Sequence, residues 1–312
     1  MLVSIIVPCY NEEPVLQDFY QEFMKQCSQI DYELLFVNDG SSDGTIDVIR
    51  ELTEKNERVH YLSFSRNFGK ESAIYAGLCN AKGDYVAVMD ADLQDPPELL
   101  PQMLEVIQSG AYDSVATRRG SRKGEPVLRS LLARLFYKVI NHVSDADIVD
   151  GARDYRLMSR DMVNAVIAMS EYNRFSKGIF GWIGFRTYWM SYENIERKAG
   201  KTKWSVWKLT KYALDGIFNF SQAPLKFVSG MGLFTTFVAF VYIIYILISK
   251  EVTGNPIEGW TSTVSIVLFL GGLQLFSIGV IGQYVARIFL ETKNRPHYIV
   301  SESDEDEVIK IK

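Results

Sequence analysis

Two uninterrupted apolar stretches constrain this chain more than any other feature. Phe227–Ile248 and Val264–Ala286 contain no charged residue. Each is longer than the roughly 20 residues a helix needs to cross a hydrocarbon core about 30 Å thick. Core helices of soluble proteins seldom run this far without a charge. The intervening Ser249–Thr263 is short and holds one lysine and two glutamates, so the pair reads as a hairpin with both ends on one side. Lys208, Lys211 and Lys226 precede it, and Arg287, Lys293 and Arg295 follow. Positive flanks stay inside, which puts the attached segments and both termini in the cytoplasm. The predicted organisation is a cytoplasmic domain over 1–204, a juxtamembrane amphipathic helix over 205–226, two spans (227–248 and 264–286) and a cytoplasmic tail over 287–312.

The first part has a different texture. Short apolar runs at Val3–Val7, Tyr32–Val37, Val59–Phe64, Tyr85–Met89 and Ser114–Thr117 are rich in Val, Ile, Tyr and Phe and fit buried strands. Helical patterns lie between them, including Thr45–Lys55 and Glu98–Ser109. Asp95-Pro96-Pro97-Glu98 reads as a helix start, with Asp95 as the capping carboxylate. Alternating strands and helices predict an α/β fold with a Rossmann-like, mostly parallel sheet. Ligands on such sheets bind at the carboxyl ends of the strands, near a switch in strand order. Net charge is -5, which argues against nucleic acid as a partner. Cys9, Cys27 and Cys79 form no Cys-x-x-Cys pair, so neither a zinc site nor a disulfide framework is expected. Met1–Pro8 has no basic stretch or cleavage site of a signal peptide. Arg129–Val143 and Ser205–Phe220 mix basic and bulky apolar residues at helical spacing and are expected to lie along a membrane surface. The acidic run Ser301–Glu307 is expected to be a mobile tail.

Three polar clusters follow strands. Asp90-Ala91-Asp92, with Gln94 beyond it, closes the run Tyr85–Met89. Paired hard oxygen donors there suit Mg²⁺ or Mn²⁺ bridging to a diphosphate, and an Asp-x-Asp alone is also common in turns. Asn38-Asp39-Gly40-Ser41-Ser42-Asp43-Gly44-Thr45 ends a strand and begins a helix; Asp39 is placed to accept from a base or ribose, and Asp43 to cap the helix or form the turn. Pro8-Cys9-Tyr10-Asn11-Glu12-Glu13 offers Tyr10 for stacking on a base and Glu12 for the ribose or ring. No Gly-x-Gly-x-x-Gly follows the first strand and no Gly-Lys-Ser is present, which disfavours a dehydrogenase or P-loop enzyme.

With Ser65-Arg66-Asn67-Phe68-Gly69-Lys70 and Asp154-Tyr155-Arg156-Leu157-Met158 added, the run of motifs resembles the family 2 glycosyltransferases of the GT-A fold. Within them it is similar to the polyprenyl-phosphate glycosyltransferases, and the similarity extends to the two-span hairpin. The resemblance implies Pro8, Tyr10, Glu12 and Asp39 around the nucleotide and Asp90, Asp92 and Gln94 around the metal. It implies Arg197 and Lys203 on the donor diphosphate, Arg118 and Arg129 on the acceptor phosphate, and Asp154 as a base or positioning carboxylate. Arg119 and Arg122 compete with Arg118 for its role, and Asp154 has the alternative of pairing Arg153 or Arg156.

The implied reaction is an inverting transfer from a UDP-sugar, with glucose or N-acetylglucosamine, to a polyprenyl phosphate such as undecaprenyl phosphate. The implied partners are the donor, the lipid and the bilayer, with a homo-oligomer compatible. A processive synthase is disfavoured, because the chain lacks Gln-x-x-Arg-Trp and has two spans. A saccharide or protein acceptor, or a non-catalytic nucleotide-sugar-binding membrane protein, stays open.

Overall fold

The computed structural model describes residues 1–119, 149, 151–192, 218, 221–253 and 259–305. The amphipathic segment Arg129–Val143, nearly all of Ser205–Phe220, and the site candidates Arg122, Arg129, Arg197 and Lys203 lie outside them.

The expected strands form at the expected places. They are β1 (Val3–Cys9), β2 (Tyr32–Asn38), β3 (Val59–Phe64), β4 (Tyr85–Val88) and β5 (Ser114–Arg119), followed by β6 (Ala152–Ser159), β7 (Thr187–Tyr192) and β8 (Val300–Ser303). One eight-stranded sheet has the order β7-β5-β6-β4-β1-β2-β3-β8. Only β6 and β8 run against the others. The chain leaves β1 for β2 on one side and later returns to β4 on the other, so the switch in strand order lies between β1 and β4.

Helices α1 (Glu13–Cys27), α2 (Thr45–Lys55) and α4 (Leu99–Gln108) cover one face. Leu16, Phe19, Phe23, Ile49, Leu52, Leu100 and Met103 are completely buried there against β1, β2 and β6. Each such side chain contributes roughly 1.5–3 kcal/mol by leaving water. Helices α3 (Lys70–Asn80), α5 (Arg160–Ala168) and α6 (Ser176–Trp182) cover the other face.

Two expectations need correction. Asp95 does not cap α4, whose capping position is Glu98. Asp95 turns inward instead, completely buried, and accepts from Arg153 Nε at 2.9 Å and the Tyr192 hydroxyl at 2.5 Å. The acidic run is not a mobile tail over its described part. Val300–Ser303 pairs antiparallel with β3. Glu302 accepts from Arg50 Nη2 at 2.6 Å, His60 lies 2.7 Å from Asp304, and Glu305 pairs Lys82 at 2.6 Å. A row of basic groups along the sheet edge therefore gathers the acids.

The apolar stretches form α7 (Ala223–Thr253) and α8 (Trp260–Thr292). Ala223–Ile246 and Ser262–Thr292 are long and apolar enough to cross a membrane, and neither apolar window is buried by protein. The chain leaving α8 inserts into the domain. Tyr298 is completely buried and stacks on Phe64 at 5.2 Å, and Glu291 accepts from the Tyr172 backbone N–H at 2.8 Å. The hairpin is thus fastened to the α/β domain at two places.

Candidate active site

The carboxyl ends of β1, β2 and β4 bring most of the described candidates together. Register places Pro8 beside Val37 and Cys9 beside Asn38, and Asp39 N–H donates to the Cys9 carbonyl at 2.8 Å. Asn11 takes a left-handed φ of 54° and holds the neighbouring loop by accepting from Ser42 N–H at 2.8 Å. Tyr10 stands 43% exposed on this rim, open for stacking. Glu12 N–H donates to Thr45 Oγ1 at 3.0 Å, tying the start of α1 to α2. Asp43 forms the turn and not the cap: it accepts from Thr45 N–H at 3.1 Å, while Gly44 holds the capping position of α2.

Asp39 is more enclosed than its expected role suggests. Its oxygens accept from the backbone N–H groups of Phe68 at 2.6 Å and Gly69 at 2.9 Å. Gly40 makes this possible. It has φ of 62°, and a Cβ there would lie 2.4 Å from the Arg66 carbonyl carbon. Burial raises the Asp39 carboxyl to about 6, against the lowering effects of the two N–H groups and Arg66.

After β4 the chain turns through Leu93, which holds a left-handed φ of 55°. A non-glycine residue there costs roughly 1–2 kcal/mol, strain of the kind that gathers at functional turns. Asp92 Oδ1 accepts from Gln94 N–H at 3.1 Å, and the Gln94 amide oxygen lies 3.5 Å from Arg153 Nη2. Asp90, Asp92 and Gln94 offer two carboxylates and one amide, the hard donor set that Mg²⁺ and Mn²⁺ take. By donor chemistry these three residues would suit a divalent cation, while no group of three His, Cys, Asp or Glu side chains among the described residues is gathered as a metal cluster.

The residue that organises the site is Lys70, part of a recognised motif but given no role by sequence reasoning. Its ammonium lies 2.7 Å from Asp90 Oδ1 and 2.6 Å from Asp154 Oδ2, joining acids from two strands. Lys177, on α6, approaches Asp154 Oδ1 at 3.8 Å and donates to the Ala152 carbonyl at 3.0 Å. Burial would raise the Asp154 carboxyl, but Lys70 and Lys177 outweigh it and hold it well below the usual carboxylate range. Burial likewise opposes the charge on Lys70, and Asp154 and Asp90 more than restore it. Glu71 accepts from both the N–H and the hydroxyl of Ser176, so α3 fixes the start of α6 and with it Lys177. Asp154 therefore pairs neither Arg153, which is bound to Asp95, nor Arg156.

Arg118 stands at the exposed end of β5, its Nε donating to Ser191 Oγ at 2.9 Å. It lies across from Ala152 of β6, the residue whose carbonyl accepts from Lys177.

Comparison with known proteins gives this arrangement a context. Residues 4–167 match the model of glycosyl transferase family 2, and residues 223–288 match the GtrB C-terminal hairpin. The Bacillus subtilis (strain 168) protein CsbB is 45% identical over 305 residues, covering 97% of this chain and 92% of its own. The SfII prophage-derived bactoprenol glucosyl transferase of Shigella flexneri is 42% identical over 306 residues, covering 97% and 98%. A prophage bactoprenol glucosyl transferase homolog of Escherichia coli (strain K12) is 42% identical over 303 residues, covering 96% and 98%.

Proposed function

This chain belongs to glycosyl transferase family 2, and from that premise we propose that it moves a hexose or N-acetylhexosamine from a UDP-sugar onto the phosphate of a polyprenyl phosphate at the cytoplasmic face of a membrane. One observation carries the reading. The acids joined by Lys70 sit in a domain fastened to the end of the second membrane helix through Glu291 and Tyr298. A site held there meets a soluble donor and an anionic lipid headgroup together. The near-full-length similarity to proteins named bactoprenol glucosyl transferase supports the same acceptor.

In this proposal Pro8, Tyr10 and Glu12 line the nucleotide. Asp39 shapes the Phe68–Gly69 loop beside it and keeps lone pairs for the base. Asp90, Asp92 and Gln94 hold Mg²⁺ or Mn²⁺, which when bound neutralises charge on the departing diphosphate. Arg197 and Lys203 serve that diphosphate, and Arg118 and Arg129 the acceptor.

The reaction is one in-line displacement. An acceptor phosphate oxygen forms a bond to the anomeric carbon as the bond from that carbon to the diphosphate oxygen breaks. The electron pair leaves with UDP and the configuration inverts. A phosphate monoester has a second pKa of about 6, so its attacking oxygen is already ionised and no proton needs a base. Asp154, gripped by Lys70 and Lys177, is suited to orientation more than to proton transfer. Positioning and charge stabilisation then supply the rate.

A panel of UDP- and GDP-sugars offered with undecaprenyl phosphate to the purified full-length protein tests the reading. UDP-glucose or UDP-N-acetylglucosamine should give a labelled lipid. Label appearing only in protein or polysaccharide would replace the acceptor assignment.

A further inference from the structure

Glu71 is an acid in an unfavourable place. It follows Lys70 on α3 and is half-buried. Burial pushes its carboxyl above the ordinary range and the field of Asp154 pushes it further, while the two donors of Ser176 and the charge of Arg174 oppose them. The displacement outlined above gives this acid no task.

What Glu71 holds is the first turn of α6. Ser176 is buried, and both its N–H, at 3.0 Å, and its hydroxyl donate to Glu71 Oε2. Phe175 occupies the capping position of α6 and makes no side-chain cap. The first N–H groups of a helix lack partners within it, and a carboxylate there also meets the positive end of the helix dipole. Glu71 therefore caps α6 from another helix. The next residue is Lys177. Its ammonium lies 3.8 Å from Asp154 Oδ1 and donates to the Ala152 carbonyl at 3.0 Å. Lys70, one residue before Glu71, lies 2.6 Å from Asp154 Oδ2. Asp154 is thus gripped on one oxygen from α3 and on the other from α6, and the Glu71–Ser176 contact is the joint between those helices.

The membrane hairpin acts on the same joint. Residues 169–175 lead into α6, and the chain at the end of α8 is fastened to them. Tyr172 N–H donates to Glu291 at 2.8 Å, and the Ser170 carbonyl lies 3.2 Å from His297 Nε2. Arg174 donates to the Met169 and Val166 carbonyls and stacks 4.2 Å from the Tyr75 ring of α3. A shift of the hairpin against the domain would reach Lys177 through this loop unless the start of α6 were fixed, and Glu71 fixes it.

We propose that Glu71 is a positioning residue for sugar transfer: through Ser176 it sets Lys177, and with Lys177 the second grip on Asp154. The inference rests on the function proposed above and adds to it a residue that acts without touching either substrate. A carboxylate held at both oxygens keeps one orientation, and a misplacement of about 1 Å in an active site can cost roughly a hundredfold in rate.

The test compares Glu71→Ala with Glu71→Gln in the full-length protein in detergent, with undecaprenyl phosphate and the UDP-sugar chosen by the donor panel. Glutamine keeps a carbonyl oxygen that can accept from both Ser176 donors, and alanine keeps none. Glu71→Ala should lower kcat by roughly thirtyfold while KM for each substrate moves less than about threefold, and Glu71→Gln should recover most of that loss. Lys177→Met should lower kcat by a similar factor, and adding Glu71→Ala to it should take little more, because both act by one route. Amide exchange at Ser176 should be faster in Glu71→Ala than in the wild type or Glu71→Gln. The proposal is overturned if Glu71→Ala keeps its kcat, if its loss falls on KM, if the Glu71 and Lys177 losses multiply, or if Glu71→Gln is as slow as Glu71→Ala. Should Glu71→Ala not fold, Ser176→Ala removes one of the two donors and should still lower kcat with both KM values held; an unchanged kcat there overturns the proposal. Failure of the two ideas separates. A wild-type protein that makes no glycosylated lipid refutes the function and leaves Ser176 exchange to report whether Glu71 holds α6. One that makes it no faster than Glu71→Ala refutes the positioning role alone.

Discussion

The ammonium of Lys70 lies 2.6 Å from Asp154 Oδ2, and the same nitrogen lies 2.7 Å from Asp90 Oδ1. A residue at the start of α3 thus ties the end of β4 to β6 and shares one positive charge between two acids. Asp90 is also a proposed ligand for a divalent cation, so Lys70 and a bound cation would compete for one carboxylate.

Replacing Lys70 with methionine should therefore separate two properties. Mn²⁺ binding without donor, read by electron paramagnetic resonance, should tighten by roughly tenfold, equivalent to about 1.4 kcal/mol. Sugar transfer should fall by roughly a hundredfold or more, because Asp154 loses the cation that orients it. Unchanged Mn²⁺ affinity would show that Lys70 does not contend for Asp90.

The buried pair Asp95–Arg153 gives a stability prediction. Asp95 is completely buried and burial raises its carboxyl, with Arg153 the chief opposing charge. Arg153→Met should destabilise the domain by about 3–5 kcal/mol by leaving that carboxylate unpaired. Combining it with Asp95→Asn should recover part of the loss in thermal or denaturant unfolding. Equal destabilisation by the single and double variants would contradict the pairing.

The edge strand β8 should respond to pH through His60. The hydrogen bond to Asp304 raises the His60 pKa above its ordinary value of 6.5, with Asp304 and Glu305 adding to it and burial and Lys82 opposing. A raised histidine stabilises most fully below its unfolded pKa, and the contribution is lost as pH rises through the folded value. Amide exchange at Val300–Ser303, corrected for intrinsic rate, should be more protected at pH 6 than at pH 8.5. His60→Asn should flatten that difference. The pair is partly exposed, so salt should weaken the effect.

What could be read ahead of the structure was whatever depends on neighbours in sequence. The strand runs and α2 follow from local apolar pattern, and the hairpin from length and charge. The grouping of Pro8, Tyr10, Asp39 and Asp90 follows because each ends a strand at one edge of a parallel sheet. The failures share a cause. Asp95 sits in a convincing local capping pattern, yet its partner Arg153 is 58 residues away. The acids after Val300 look solvated until Arg50, His60 and Lys82 arrive from more than 220 residues upstream. Lys70 belongs to a legible motif, but its role depends on Asp154, 84 residues on. Arg156 reads as one more charged strand residue until Phe180 and Trp189 enclose it.

Phosphorus-31 magnetic resonance of one reaction mixture tests the central claim most directly. With full-length protein, Mg²⁺, undecaprenyl phosphate and the UDP-sugar chosen by the donor panel, the acceptor's monoester resonance should give way to a phosphodiester, with one UDP appearing for each. UDP released while the monoester persists unchanged would mean that the sugar goes to water or another acceptor, and would contradict the account.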